Sequence, residues 1–90
     1  MIVWSARAIA NLEEQLRYVR EDKPSAAEHM AFEIERQTNL LSNFPNVGRP
    51  GRRPGTRELV IGGTPYVAVY RVRKSNVEIL RLLHGAQKWP

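Results

Sequence analysis

Apolar positions change their spacing halfway along the chain, dividing it into a helical half and a strand half. Residues 2–4, Ile-Val-Trp, form a short strand-like run. Ile9, Leu12, Leu16 and Val19 then follow at spacings of three, four and three, one stripe of a 3.6-residue period. Ser5 is the expected N-cap, and the helix runs to about Glu21 before Asp22-Lys23-Pro24 breaks it. Ser25 with Glu28 matches a capping box for a second helix. That helix places Ala27, Met30, Ile34 and Leu41 on one side and ends by Asn43, ahead of Phe44-Pro45. So short a break predicts an antiparallel helical hairpin.

From Thr56 onward the period becomes 2. TRELVI (56–61), PYVAVYRV (65–72) and VEILRLLH (77–84) are rich in β-branched and aromatic residues, with GGT and RKSN between them as hairpin turns. Three such strands in meander order predict an antiparallel sheet. The expected fold is α+β, β-α-α-β-β-β: a helical hairpin on one face of a small antiparallel sheet, with the N-terminal strand at an edge. Residues 1–90 form a single domain in this reading. Strict alternation puts Glu78, Leu80, Leu82 and His84 on one side of the last strand and Val77, Ile79, Arg81 and Leu83 on the other. Which set faces outward depends on the register.

Composition narrows the chemistry. Hydrophobic residues at 42% suffice for a folded core, and with no cysteine there is neither a disulfide framework nor a thiolate metal site. His29 and His84 are the only histidines and share no ligand spacing, so no metal and no cofactor is expected. Nucleotide-binding glycine motifs and a serine nucleophile elbow are likewise missing. No apolar run reaches a membrane span, and a soluble cytoplasmic protein without membrane partners is expected. The net charge of +5 is uneven: residues 1–45 carry five Lys/Arg against seven Asp/Glu, and residues 46–90 carry nine against two. A basic half beside a mildly acidic one fits a polyanionic partner, although it also fits a generally basic surface.

The basic residues begin in GRPGRRPGTRELV (48–60), which has no second domain to link. Its prolines limit its freedom, so Arg49, Arg52 and Arg53 project from a semi-rigid loop. Arg57, Arg71, Arg81 and His84 are expected close together on the meander. Guanidinium forks suit phosphate, and His84 offers an imidazole, a side chain suited to general acid–base work. Together with Tyr70 or Trp89 as stacking rings, they have the makings of an RNA-binding surface, or of cleavage by 2′-hydroxyl attack with a base, an acid and a cation. Each has a plainer alternative: a solvated strand face for Arg71 and Arg73, a strand-end hydrogen bond for His84, packing for Tyr70 and Trp89.

IVWSARAIANLEEQLRYV, LLSNFPNVGRP, GTRELVI and YVAVYRVRKSNVEILRLLHGAQKWP, in that order, resemble the RelE/ParE superfamily, the toxins of bacterial type II toxin–antitoxin operons. The resemblance covers nearly the whole chain. It implies a growth-inhibiting toxin neutralised by a cognate antitoxin in a hetero-oligomer, the antitoxin's C-terminal segment wrapping grooves around the hairpin and sheet. It also implies one of two targets. RelE-like members cleave mRNA on the ribosome, for which Arg57, Arg81 and His84 are the matching catalytic candidates. ParE-like members poison DNA gyrase and need no nuclease site. Where several RelE-like nucleases carry an arginine before the tyrosine, YVAVY offers Val67, Ala68 and Val69, so the expectation leans to the ParE-like side. Arg49, Arg52, Arg53, Arg71, Arg73, Lys88 and Trp89 are then the candidates for contact with a target or with nucleic acid. A basic nucleic-acid-binding module is the remaining alternative.

Overall fold

Ser5 marks the passage from strand to helix. In the computed structural model, which describes residues 1–85, strand β1 (Ile2–Trp4) leads into helix α1 (Ala6–Asp22). The Ser5 hydroxyl accepts from the Ala8 N–H at 3.0 Å and donates to the Leu80 carbonyl at 3.1 Å. One side chain thus caps the helix and ties its start to the sheet. The Lys23 N–H closes α1 on the Val19 carbonyl, and Pro24 opens helix α2 (Pro24–Asn39).

The expected capping box at Ser25 and Glu28 does not form. Lys23 is the N-cap and makes no side-chain cap bond. Proline's fixed φ and missing N–H suit the first helical position, so the helix begins before Ser25 can cap it.

A 3₁₀ turn, Leu40–Ser42, ends the hairpin. The remaining strands are β2 (Arg49–Pro50), β3 (Arg57–Val60), β4 (Tyr66–Arg73) and β5 (Asn76–His84), in the sheet order β1-β5-β4-β3-β2. The meander and the edge position of β1 are as the sequence predicts. The sheet is mixed rather than antiparallel throughout, because β1 runs parallel to β5. β2 is an addition: two residues with a proline are too few to show a period. It pairs with β3 through Arg49 opposite Glu58 and Pro50 opposite Arg57.

A bulge also breaks the predicted alternation on β5. Val69 pairs with Arg81 and Tyr70 with Ile79, leaving Leu80 as the extra residue. Val77 and Ile79 therefore share the helix-covered core with Leu82, while Arg81 and Leu83 turn to the other face.

The core joins Ala8, Ile34 and Leu41 from the helical half to Ile61, Tyr66, Ala68, Tyr70, Ile79 and Leu82 of the strand half. Each large side chain buried this way contributes roughly 1.5–3 kcal/mol. Ile9, expected on the core stripe, is 43% exposed, and Ala8 is wholly buried instead. α1 packs along β5, and the small Ala8 side chain lets it sit close there. The Gln37 amide donates to the Gly62 carbonyl and accepts from the Gly62 N–H, both at 2.8 Å, joining α2 to the β3–β4 hairpin.

Candidate functional site

With the helices on one side of the sheet, register decides which charged residues reach the other. Cross-strand partners share a face. The open face therefore carries Arg49 and Glu58, then Val69 and Arg81, then Arg71 and Glu78. Arg57 pairs with buried Tyr70 and lies on the helix-covered side. The four groups expected close together are thus divided: Arg71 and Arg81 share the open face, and Arg57 does not. His84 pairs with Tyr66 at the far end of the meander, their rings edge to face at 6.3 Å between centroids.

Arg57 has a definite job where it stands. Its Nη1 donates to the Gly48 carbonyl at 2.8 Å and to the Asn46 carbonyl at 3.2 Å. Beside it the Tyr70 hydroxyl donates to the Pro45 carbonyl at 2.7 Å and accepts from the Gly48 N–H at 2.9 Å. Burial pushes the Tyr70 phenol up from its ordinary pKa; the Gly48 hydrogen bond and the Arg57 charge oppose this. The phenol stays neutral and keeps its proton for Pro45. Gly48 is required here, because a Cβ would stand 2.6 Å from the Tyr70 oxygen. Arg57 and Tyr70 therefore clasp residues 45–48 and fix where the arginine loop departs. Tyr70 is a packing residue, not a stacking platform.

On the open face, each carboxylate serves an arginine. Glu58, 7% exposed, accepts from Arg49 Nε at 3.1 Å through Oε1, which also lies 3.0 Å from Arg49 Nη2; the other oxygen, Oε2, has no partner among the described residues. Arg52 and His84 line the same shallow hollow. Glu78 takes Arg71 Nε at 3.0 Å and lies 3.9 Å from Arg73. At the sheet edge that β1 leaves beyond residue 79, Asn11 Oδ1 accepts from the Leu82 N–H at 3.1 Å and from Arg81 Nε at 3.0 Å. Arg81 is thereby held between α1 and β5. Arg53 joins Arg7, Arg71 and Arg81 around an open cleft of about 360 Å³. Lys88 and Trp89 lie outside the described residues.

The helical side of the molecule holds a mainly apolar groove. The groove, of about 430 Å³, opens between α1 and α2, lined by Ile2, Trp4, Ile9, Leu12 and Ile34, with Glu35 among its polar residues. Asn11, Glu58, Arg7 and this groove escape sequence reading. Asn11 and Glu58 act through partners 71 and nine residues away, and no local pattern marks such pairs. Among the described residues no group of carboxylates and histidines is placed to hold a metal ion, and no helix is long and apolar enough to cross a membrane.

Comparison with known proteins places this geometry. Y4kP of Sinorhizobium fredii is 40% identical over 89 residues, covering 99% of this chain and 92% of its own. Toxin RelE2 of Caulobacter vibrioides is 35% identical over 86 residues, covering 96% of each chain. A solved structure from a chromosomal ParDE toxin–antitoxin system of P. aeruginosa superposes with a TM-score of 0.82 at 27% identity over 92% of both chains. The family model for the ParE toxin of the type II toxin–antitoxin system parDE matches residues 2–89. A helical hairpin over a mixed five-stranded sheet with this sequence belongs to the ParE toxin family, within the RelE/ParE superfamily of type II toxin–antitoxin toxins.

Proposed function

We propose that this toxin arrests growth by binding a protein target, DNA gyrase, rather than by cutting mRNA, and that its antitoxin neutralises it in a hetero-oligomer. The observation that carries this reading is the separation of the three nuclease candidates. Phosphodiester cleavage needs a base, an acid and a cation converging on one phosphate. Arg57 is spent on the Asn46 and Gly48 carbonyls on the helix side, Arg81 is anchored to Asn11 at the β5 edge, and His84 stands against Tyr66. A binding toxin requires no such convergence. It needs a presented surface, and the arginine loop clasped by Arg57 and Tyr70 offers one.

The solved relative comes from a ParDE system, and family membership implies an antitoxin for this chain too. The apolar groove between α1 and α2 suits the nonpolar side of an antitoxin segment. The basic face suits an acidic continuation of that segment.

The competing reading, a ribosome-dependent mRNA endonuclease, draws on the two Caulobacter relatives named RelE and on His84. Induction of the wild type and of the Arg81→Ala/His84→Ala double variant, with mRNA mapped by primer extension, separates the two. The gyrase reading expects no new mRNA ends with either form. Ribosome-dependent cuts made by the wild type and lost in the double variant would sink it.

A further inference from the structure

The cleft around Arg7, Arg53, Arg71 and Arg81 brings four guanidinium groups together, and no carboxylate among the described residues lines it. The four arginines come from four separate elements: the first turn of α1, the loop before β3, and the neighbouring strands β4 and β5. Arg71 meets Glu78, and Arg81 meets Asn11, through Nε alone. In both, the paired terminal nitrogens make no hydrogen bond among the described residues, so the guanidinium forks are oriented yet available. Leu80, the bulged residue, with Pro54 and Thr56 completes the lining. The bulge thus places Arg81 beside Arg71. Glu78 offsets the charge of Arg71; the other guanidinium groups that share the cleft repel one another, which favours an anion among them. Planar forks fixed at Nε match the oxygens of a phosphate.

We propose that this cleft binds a phosphodiester of a nucleic-acid backbone. Resting on the gyrase reading, that backbone is the DNA on which the enzyme acts, so the toxin touches both protein and DNA. Asn11 and Glu78 are positioning residues for the forks of Arg81 and Arg71. One phosphodiester, like one carboxylate, has a single pair of anionic oxygens and satisfies one fork, so four arginines call for a ligand whose charge recurs. A backbone repeats its charge, and Arg49 and Arg52 continue the same surface toward β2.

The test is anisotropy of a labelled duplex DNA with the wild-type toxin, Arg7→Gln/Arg71→Gln and a control, Arg17→Gln/Arg20→Gln, whose arginines lie on α1 away from the cleft. Removing two phosphate contacts lowers the slope of log K against log salt by about 1.8, and the control leaves it unchanged. Arg7→Lys/Arg71→Lys keeps the charge without the fork: it retains the slope and binds more weakly, which supports the site should the glutamine pair fold poorly. Equal slopes for wild type and glutamine pair overturn the proposal. So does displacement of the DNA by a poly-glutamate peptide at lower concentration than by unlabelled DNA, which assigns the cleft to an acidic protein segment. Tighter binding of single-stranded RNA than of duplex DNA overturns the DNA assignment. Gyrase supercoiling keeps this proposal separate from the one it rests on. If the glutamine pair inhibits as well as the wild type, the cleft has no part in poisoning and the gyrase reading stands. If the wild type leaves gyrase untouched but binds DNA through these arginines, the cleft stands and the gyrase reading falls.

Discussion

Replacing Tyr70 with phenylalanine removes one oxygen and two hydrogen bonds, leaving the wholly buried ring in place. The donor to Pro45 and the acceptor for Gly48 are lost together. A typical hydrogen bond contributes about 1 kcal/mol net, and a buried N–H left without a partner costs about 1–3 kcal/mol. Arg57 still holds the Gly48 and Asn46 carbonyls, so the loop stays attached by its other clasp. The expected loss is about 2–3 kcal/mol. Urea unfolding followed by circular dichroism reads this as a midpoint about 1–2 M lower with an unchanged slope. Because the folded state binds the phenolic proton more tightly than the unfolded chain, wild-type stability also falls as pH rises past the ordinary tyrosine value of 10.0. The phenylalanine variant loses the Tyr70 share of that dependence, while Tyr66, whose phenol burial also pushes up, keeps its own. A destabilisation below about 0.5 kcal/mol would refute the clasp, since it would mean that water already satisfies Gly48 and Pro45.

Three further outcomes follow from the same contacts. Arg49→Ala leaves the buried Glu58 carboxylate without its cation. Breaking a buried pair costs about 3–5 kcal/mol, but the Arg49 side chain is 59% exposed, which reduces the expected loss to about 1–2 kcal/mol, measured by urea unfolding. Asn11→Ala strips the Leu82 amide of its acceptor at an uncovered strand edge, costing about 1–2 kcal/mol, and hydrogen exchange at that amide should accelerate selectively. Hydrogen bonds from Arg36 and then Gln37 hold the Glu33 carboxyl down at about 2, against an ordinary 4.5. The contribution of Glu33 is therefore full above pH 4.5 and lost as pH falls toward 2. In Glu33→Gln, stability measured across that window should vary less with pH than in the wild type.

The elements that local pattern can encode were legible in the sequence. Ser5 as a helix cap, the hairpin of α1 and α2, and the meander with its turns follow from periods of 3.6 and 2 and from turn chemistry. The errors arise where tertiary contact overrules local preference. Pro24 pre-empts the Ser25 cap because its own φ already suits the helix start. The bulge at Leu80 reverses the faces of half of β5, and alternation cannot foresee an inserted residue. That reversal matters most at the site, because it moves Arg81 beside Arg71 while pairing sends Arg57 to the helix side. Glu58 was visible only as one of two acids in a basic half; its burial beneath Arg49 depends on β2, a strand too short to recognise.

The central claim is that the toxin acts by binding rather than by cutting RNA. It is tested most directly by titrating purified toxin into a gyrase supercoiling reaction with relaxed plasmid. Supercoiling should fall to completion as toxin saturates the enzyme, and pre-mixing with the cognate antitoxin should restore it. Undiminished supercoiling at saturating toxin would contradict the account.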